Sequence, residues 1–358
     1  MTAAPTATRA SILTTPSTLT VSERQVPQLR ATDVLVQVLS VGVCGSDVHY
    51  YRHGRIGDFV VTGELVLGHE ASGVIAAVGA EVDPARIGER VSVEPQRECG
   101  ACASCRSGDY NLCPKMEFLA TPPFDGAFTE YVAVPAHAAH PVPDSLSFDE
   151  AALLEPLSVA IAACRRAQVQ PGSRVLITGA GPVGLLIAST ARVFGASRVV
   201  ISDPIASRRA HAIRRGADRA IDPTVSDEAD GEIFDIFIDA SGVEPAINWA
   251  LRHCASGGFA LLVGMGSSQQ RLETGLIQAR EITLSGIFRY RHTWPLAIEL
   301  ATSGRITLSD LVTGHFGLDE VEEALTAIST DFHLKTMVHP SVAVGDQWMG
   351  AEPDEGGR

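Results

Sequence analysis

The apolar run Arg174-Val175-Leu176-Ile177-Thr178 leads directly into Gly179-Ala180-Gly181-Pro182-Val183-Gly184, and Pro182 to Phe194 then carries an apolar face at helical spacing. A buried strand that passes into a helix through G-x-G-x-x-G is compatible with few architectures. It predicts the first βα unit of a doubly wound parallel sheet with a dinucleotide at the helix N-terminus. The first glycine allows the tight turn, the second lets the backbone approach a pyrophosphate, and the third lets helix and strand pack closely. Unpaired N–H groups and the helix dipole then face the anion. An ordinary glycine-rich turn is the alternative, and the position between strand and helix argues against it. Gly179, Gly181, Pro182, Val183 and Gly184 are therefore the expected phosphate-binding turn.

The alternation continues downstream. A second strand is expected at Arg198 to Ser202, with further units at Ile205 to Arg215, Ile233 to Asp239, Glu244 to Cys254, Phe259 to Val263 and a last strand at Ile282 to Ile287. A helix over Leu157 to Ala167 precedes them and stops before the turn Gln170-Pro171-Gly172. Asp203 ends the second strand, about 20 residues past the glycine motif, where a carboxylate can hydrogen-bond an adenosine ribose and repel a 2′-phosphate. That favours NAD over NADP, although Arg208 and Arg209 soften the preference. A cap for the helix after Pro204 is a compatible second role for Asp203.

The upstream half reads differently. Val34 to Val43, Gly73 to Val78, Arg90 to Val93 and Ala127 to Val134 are short apolar or alternating runs bounded by Gly, Pro and Asp, with little helical pattern between them. After Trp294 come a helix to Ser303, another near Leu318 to Ile328, and a strand at Lys335 to Val338. With 358 residues the chain exceeds one ordinary core. The expected class is α/β, with a β-rich unit over 1–156 that takes back 294–343, a nucleotide-binding unit over 157–293, and a polar, acidic, disordered tail over 344–358.

Charge and composition remove several function classes. A net charge of −14 repels a phosphate backbone, so nucleic acid is a poor partner. No apolar run is long enough for a bilayer, and the N-terminal residues do not form a secretory signal, so the expected location is cytoplasmic. Seven cysteines is an odd number, and four are crowded between 99 and 113, which suits metal binding in a reducing compartment better than disulfides.

Cys99, Cys102, Cys105 and Cys113 follow C-x2-C-x2-C-x7-C in a segment rich in turn residues. Four thiolates so placed can close a tetrahedron around a structural zinc, with no open position for substrate. An iron–sulfur cluster is the rival, and the last interval is too long for the bacterial ferredoxin pattern. Three other segments carry ligand types: Gly42-Val43-Cys44-Gly45-Ser46-Asp47-Val48-His49-Tyr50, Gly68-His69-Glu70 and Leu154-Glu155-Pro156.

The joint pattern C-G-S-D-x-H, then G-H-E-x2-G-x5-G, resembles the zinc-containing medium-chain dehydrogenase family over residues from about 10 to 340. It is most similar to the polyol dehydrogenases of the sorbitol, iditol and xylitol type, through Glu155-Pro156-Leu157-Ser158-Val159-Ala160, Ala163-Cys164-Arg165-Arg166 and Phe288-Arg289-Tyr290 before Thr293-Trp294-Pro295. The resemblance implies a GroES-like β-rich catalytic domain beside a Rossmann domain, a catalytic and a structural zinc, and NAD. It implies Cys44, His69 and Glu70 as catalytic ligands, with Glu155 bound directly or through a water in place of the second cysteine of the alcohol dehydrogenase branch. It further implies Ser46 and His49 as a proton relay, Tyr50, Arg289 and Tyr290 as substrate contacts, and Val263, Gly264, Met265, Ile287 and Phe288 beside the nicotinamide, with Arg289 bordering the cofactor too. The expected reaction converts a secondary hydroxyl of a polyol to a ketose, reversibly, in a dimer or tetramer. Threonine or a simple secondary alcohol is the alternative substrate. A non-catalytic nucleotide-binding protein is the reading from another class, and Cys44, Ser46, His69 and Glu70 argue against it.

Overall fold

The structure is a computed structural model that describes residues 6–225, 231–328 and 333–341; the tail expected at 344–358 lies outside the described residues. A six-stranded, wholly parallel sheet forms around three apolar, largely buried central strands, Arg174–Thr178, Arg198–Ser202 and Phe234–Asp239. Its spatial order is Arg219–Ile221, Arg198–Ser202, Arg174–Thr178, Phe234–Asp239, Cys254–Leu262 and Thr283–Gly286, the 3-2-1-4-5-6 arrangement of dinucleotide-binding folds. The order reverses between Arg174–Thr178 and Phe234–Asp239, and the glycine motif leaves the sheet at that switch point, entering the helix Pro182–Val193.

Sequence and structure differ here in two elements. The strand Arg219–Ile221 and the helix Thr274–Ala279 have no counterpart in the sequence reading, because runs so short carry no measurable periodicity. The fifth strand starts at Cys254, well before Phe259, because an irregularity around Gly257 and Gly258 lets it pair with Phe234 first and resume at Ile236.

The β-rich part centres on the ten-residue strand Asp33–Gly42, which pairs with Glu70–Val78, with Tyr131–Pro135 and, at its end, with Lys335–His339. Arg90–Val93 and Ala139–Pro141 extend the sheet on one side, and Val312–Gly317 lies parallel to Lys335–His339 on the other. The strand expected over Ala127 to Val134 is divided. Only its second part joins this sheet, while Ala127 and Phe128 bond to Gly68 and Leu67. The hairpin Ala7–Thr15 with Thr18–Gln25 escaped the sequence reading, because its outer strand is polar and largely exposed.

Two helices place the chemistry. Gly45–His53 starts immediately after Cys44 and buries only Asp47, Tyr50 and Tyr51, so it has no apolar stripe to announce it. Leu154–Arg166 begins three residues before the expected Leu157, which puts Glu155 and Pro156 in its first turn, where a carboxylate suits the helix dipole and a proline removes no helical bond. This helix packs between Pro182–Val193, Trp294–Thr302 and the strand Glu70–Val78, joining the two sheets.

Candidate catalytic and cofactor site

A cavity of about 550 Å³ opens between the two sheets. One wall carries Cys44, Ser46, His49, Tyr50, His69, Glu70 and Glu155; the other carries Val183, Val263, Gly264, Met265, Ile287 and Phe288, with Arg289 and Tyr290 at the junction. Every residue expected at the reactive metal, the substrate and the nicotinamide therefore lines one space.

The ligand atoms of Cys44, His69 and Glu70 all lie within 4.8 Å of one another, and His69 and Glu70 are buried. Glu155 is buried beside this trio but is not part of it; its Oε1 accepts the Tyr290 hydroxyl at 2.8 Å. A thiolate, an imidazole and a carboxylate converging in this way fit a zinc ion that keeps an open position. The local backbone serves that convergence. Glu70 is paired with Gly42 across the sheet, and a Cβ at Gly42 would sit 2.1 Å from Glu70 Oε2, so the missing side chain is the space the carboxylate occupies.

Two residues without an assigned role in the sequence reading hold the trio in place. Asp47, fully buried, accepts Cys44 N–H at 2.9 Å and Gly68 N–H at 2.9 Å, and lies 3.7 Å from His69 Nδ1. It fastens the first ligand's loop to the second's. Lys335, 2% exposed, donates to Glu70 at 2.6 Å and to the Val43 carbonyl at 2.8 Å. A lysine beside Met337 and Val338 in a buried strand was the available signal, since a buried ammonium requires a partner.

The protonation states follow from burial and from these neighbours. Burial pushes the Glu155 carboxyl up to about 7, with Glu70 adding to the rise while His69, the Tyr290 hydroxyl and Lys335 oppose it. Burial alone would lower the His69 imidazole, but Asp47 and Cys44 hold it well above its ordinary value. Lys335 likewise stays above its usual value against burial because of Glu70. Tyr290 is driven well up by burial and then by Glu155, so it remains a hydrogen-bond donor. Its hydroxyl donates to Glu155 and the ring is 1% exposed, so beside lining the cavity it holds that carboxylate.

Arg289 adopts a positive φ of 56° and stacks its guanidinium over Phe118 at 4.1 Å and Phe288 at 4.6 Å. Burial lowers its pKa to about 10. Burial raises Tyr50, which is bonded to Thr121, and lowers the imidazole of the exposed His49 together with His53 and Arg52.

The nucleotide cradle is equally specific. A Cβ at Gly184 would lie 1.8 Å from the Gly179 carbonyl oxygen, whereas one at Gly181 would meet nothing within 4 Å. The third glycine is thus a packing requirement, and the second faces open space of the kind a pyrophosphate needs. Asp203 is 4% exposed and accepts Ala180 N–H and Ile205 N–H, both at 2.8 Å, fixing the turn from the end of the second strand. Arg209 is committed to the Asp203 and Pro204 carbonyls and to Asp222, while Arg208 Nε is buried with no hydrogen-bond partner among the described residues.

Away from the cavity, the sulfurs of Cys99, Cys102, Cys105 and Cys113 form a cluster with contacts of 3.3–3.9 Å. Tetrahedral Zn–S bonds of about 2.3 Å place sulfurs about 3.8 Å apart. Backbone N–H groups of Cys99, Cys105 and Lys115 point at these sulfurs, as thiolates require. The lobe also grips the cavity wall: Asn111 donates to the Phe288 carbonyl at 2.8 Å, and the Tyr110 hydroxyl accepts His292 N–H at 2.8 Å.

Comparison with known proteins agrees with this geometry. Residues 30–144 match the alcohol dehydrogenase GroES-like domain and residues 182–303 the zinc-binding dehydrogenase domain. The chain is 41% identical to a sorbitol dehydrogenase of Bacillus subtilis, covering 88% of this chain and 92% of the relative. It is 39% identical to D-xylulose reductase A of Aspergillus oryzae over the same shares. The crystal structure of L-idonate 5-dehydrogenase from Escherichia coli superposes with a TM-score of 0.88 at 29% identity, covering 93% of this chain and 98% of that one. With both sheets, the cavity and these relatives in agreement, the chain belongs to the zinc-containing medium-chain dehydrogenase family, in its polyol dehydrogenase branch.

Proposed function

We propose that this enzyme oxidises a secondary hydroxyl of a sugar alcohol to a ketose with NAD, and catalyses the reverse reduction. The observation that carries the reading is the Glu155–Tyr290 pair standing where the Cys44, His69 and Glu70 trio meets the nicotinamide wall. Cys44, His69 and Glu70 hold the catalytic metal, and the hydrogen-bonded Glu155 outside their group suits a link through water better than a direct bond. A zinc held there would supply Lewis-acid polarisation of the substrate oxygen, and NAD in the glycine-motif cradle would supply the hydride acceptor.

This chain's own groups do the rest. Lys335 and Asp47 fix Glu70, Cys44 and His69, so the donors are preorganised. Arg289, held between two rings, offers donors to several hydroxyls of a polyol, and the Tyr50 hydroxyl faces the same space. Ser46 and the exposed His49, both on the helix Gly45–His53, provide a route for the hydroxyl proton to water. Gly179, Gly181, Pro182, Val183 and Gly184 take the pyrophosphate, Asp203 bears on the ribose with Arg208 beside it, and Val263, Gly264, Met265, Ile287 and Phe288 flank the nicotinamide. Cys99, Cys102, Cys105 and Cys113 hold a structural zinc.

The proposed division is a catalytic unit over 1–156 with 294–343 and a nucleotide unit over 157–293, supported by sheet membership. Among the described residues no helix is long and apolar enough to cross a membrane, and a cytoplasmic location is proposed from the reduced-thiol chemistry. A homo-oligomer is proposed as well, the strand Thr283–Gly286 being an edge of the parallel sheet.

The test is turnover. With NAD and a panel of polyols, threonine and simple secondary alcohols, NADH should form with at least one polyol, and chelation or Cys44→Ser should abolish it. No turnover at full zinc content refutes the reading, and a clear preference for NADP refutes the role of Asp203.

A further inference from the structure

A third group of ligand-bearing side chains lies outside the cavity. Asp149, on the helix Phe148–Ala152, meets His315 of the strand Val312–Gly317 and His339 at the end of Lys335–His339. His315 Nδ1 lies 3.1 Å from His339 Nε2 and 3.4 Å from Asp149 Oδ2, and His339 Nε2 lies 3.7 Å from Asp149 Oδ1. Two donors bound tetrahedrally at about 2.0–2.1 Å stand about 3.3 Å apart, so this spacing is that of ligands around one small cation.

The outer contacts point the same way. His339 Nδ1 faces the Leu39 carbonyl at 3.0 Å, which fixes Nε2 as the lone-pair nitrogen, and Ser40 donates to Asp149 Oδ1 at 2.5 Å. Metal-binding imidazoles and carboxylates are oriented by such partners. Asp149 and His339 are buried, whereas the His315 side chain is 35% exposed, so the group opens to solvent on that side.

We propose that Asp149, His315 and His339 form a third metal site, which takes a divalent transition cation of the zinc class with water in the remaining position. It is separate from the catalytic centre: Lys335, which serves Glu70, stands about 13 Å back along the strand at about 3.3 Å per residue. An ion here clamps the returning strand pair to the helix just before Glu155, and so braces two segments that position active-site groups.

Full-length protein equilibrated with buffered free Zn2+ should pass through the two expected tight zincs per chain to a third equivalent, read by elemental analysis. Cobalt(II) added after the tight sites are filled should give a visible absorption band and raise the thermal midpoint. His315→Ala, at the exposed position, and the isosteric Asp149→Asn should lose the third equivalent, the band and the thermal shift while retaining the first two zincs. Wild-type protein that stops at two, or variants that keep the third, would overturn the site.

Discussion

Asp47→Asn is the sharpest probe of how the reactive site is held. The carboxylate accepts one N–H from each ligand loop, Cys44 and Gly68, and is fully buried. Asparagine keeps the shape but offers one accepting oxygen, so one of those N–H groups must face an NH2. A hydrogen bond to a charged group contributes about 1.5–3 kcal/mol, and an orphaned buried donor costs about 1–3 kcal/mol, so folding should weaken by about 2–4 kcal/mol. Misplacing an orienting group of this kind lowers metal affinity by about 10- to 100-fold. Urea unfolding should measure the first quantity, and competition with a chromophoric chelator the second. A further readout isolates the charge: because Asp47 helps hold His69 well above the ordinary imidazole pKa, zinc must displace a proton there, and Asp47→Asn should release fewer protons per zinc bound. Unchanged zinc affinity together with an unchanged urea midpoint would refute the account.

Tyr290→Phe removes the donor to Glu155 while leaving the ring, and should lower kcat/KM by about tenfold or more, one lost bond to a charged group being about 1.5–3 kcal/mol, with zinc content intact; parallel kinetics and metal analysis check it. In chelated protein the Glu155 carboxyl titrates near 7 rather than the usual 4.5, so the protonated form favours folding and stability falls as pH rises between those values. The loss should total about 3 kcal/mol at 1.36 kcal/mol per pH unit, and Glu155→Gln should flatten it in urea titrations across that range. Gly184→Ala drives a Cβ to 1.8 Å from the Gly179 carbonyl and should abolish NADH binding by fluorescence or prevent folding outright. Asn111→Ala should raise KM for polyol with little change in the four-cysteine metal content, because it frees the Phe288 carbonyl next to Arg289.

What the sequence shows well is what one local pattern determines. The strand–glycine–helix turn needs no distant partner to be recognised, and the parallel strands on either side of it are apolar because both faces are covered. The helix Gly45–His53 was hidden because its residues answer to the site: Ser46 and His49 face the cavity, Asp47 holds two loops, and no apolar stripe is left to mark it. Lys335 and Glu70 are 265 positions apart, and only the return of the C-terminal strand to Asp33–Gly42 brings them together. The bond from Tyr290 to Glu155 is not legible in the sequence, since the direction of a side chain is set by packing around Trp294 and Glu155 that no spacing encodes.

The arrangement of these supports carries a mechanistic consequence. Glu70 is held by a strand near the C-terminus, Cys44 and His69 by one aspartate, Glu155 by a tyrosine from the segment after the last parallel strand, and that segment by the four-cysteine lobe. His69, Glu70 and Glu155 are thus fixed by residues distant in sequence, Cys44 by its own helix, and the supports come from both sides of the cavity. A change in how the two sheets sit about the helix Leu154–Arg166 would therefore act on Glu155 and Arg289 before it acted on Cys44 and His69, whose supports belong to the β-rich part alone. Substitutions at the junction should accordingly alter substrate handling while sparing zinc retention, whereas substitutions around Asp47 should lower zinc retention and lose activity in proportion to the zinc lost.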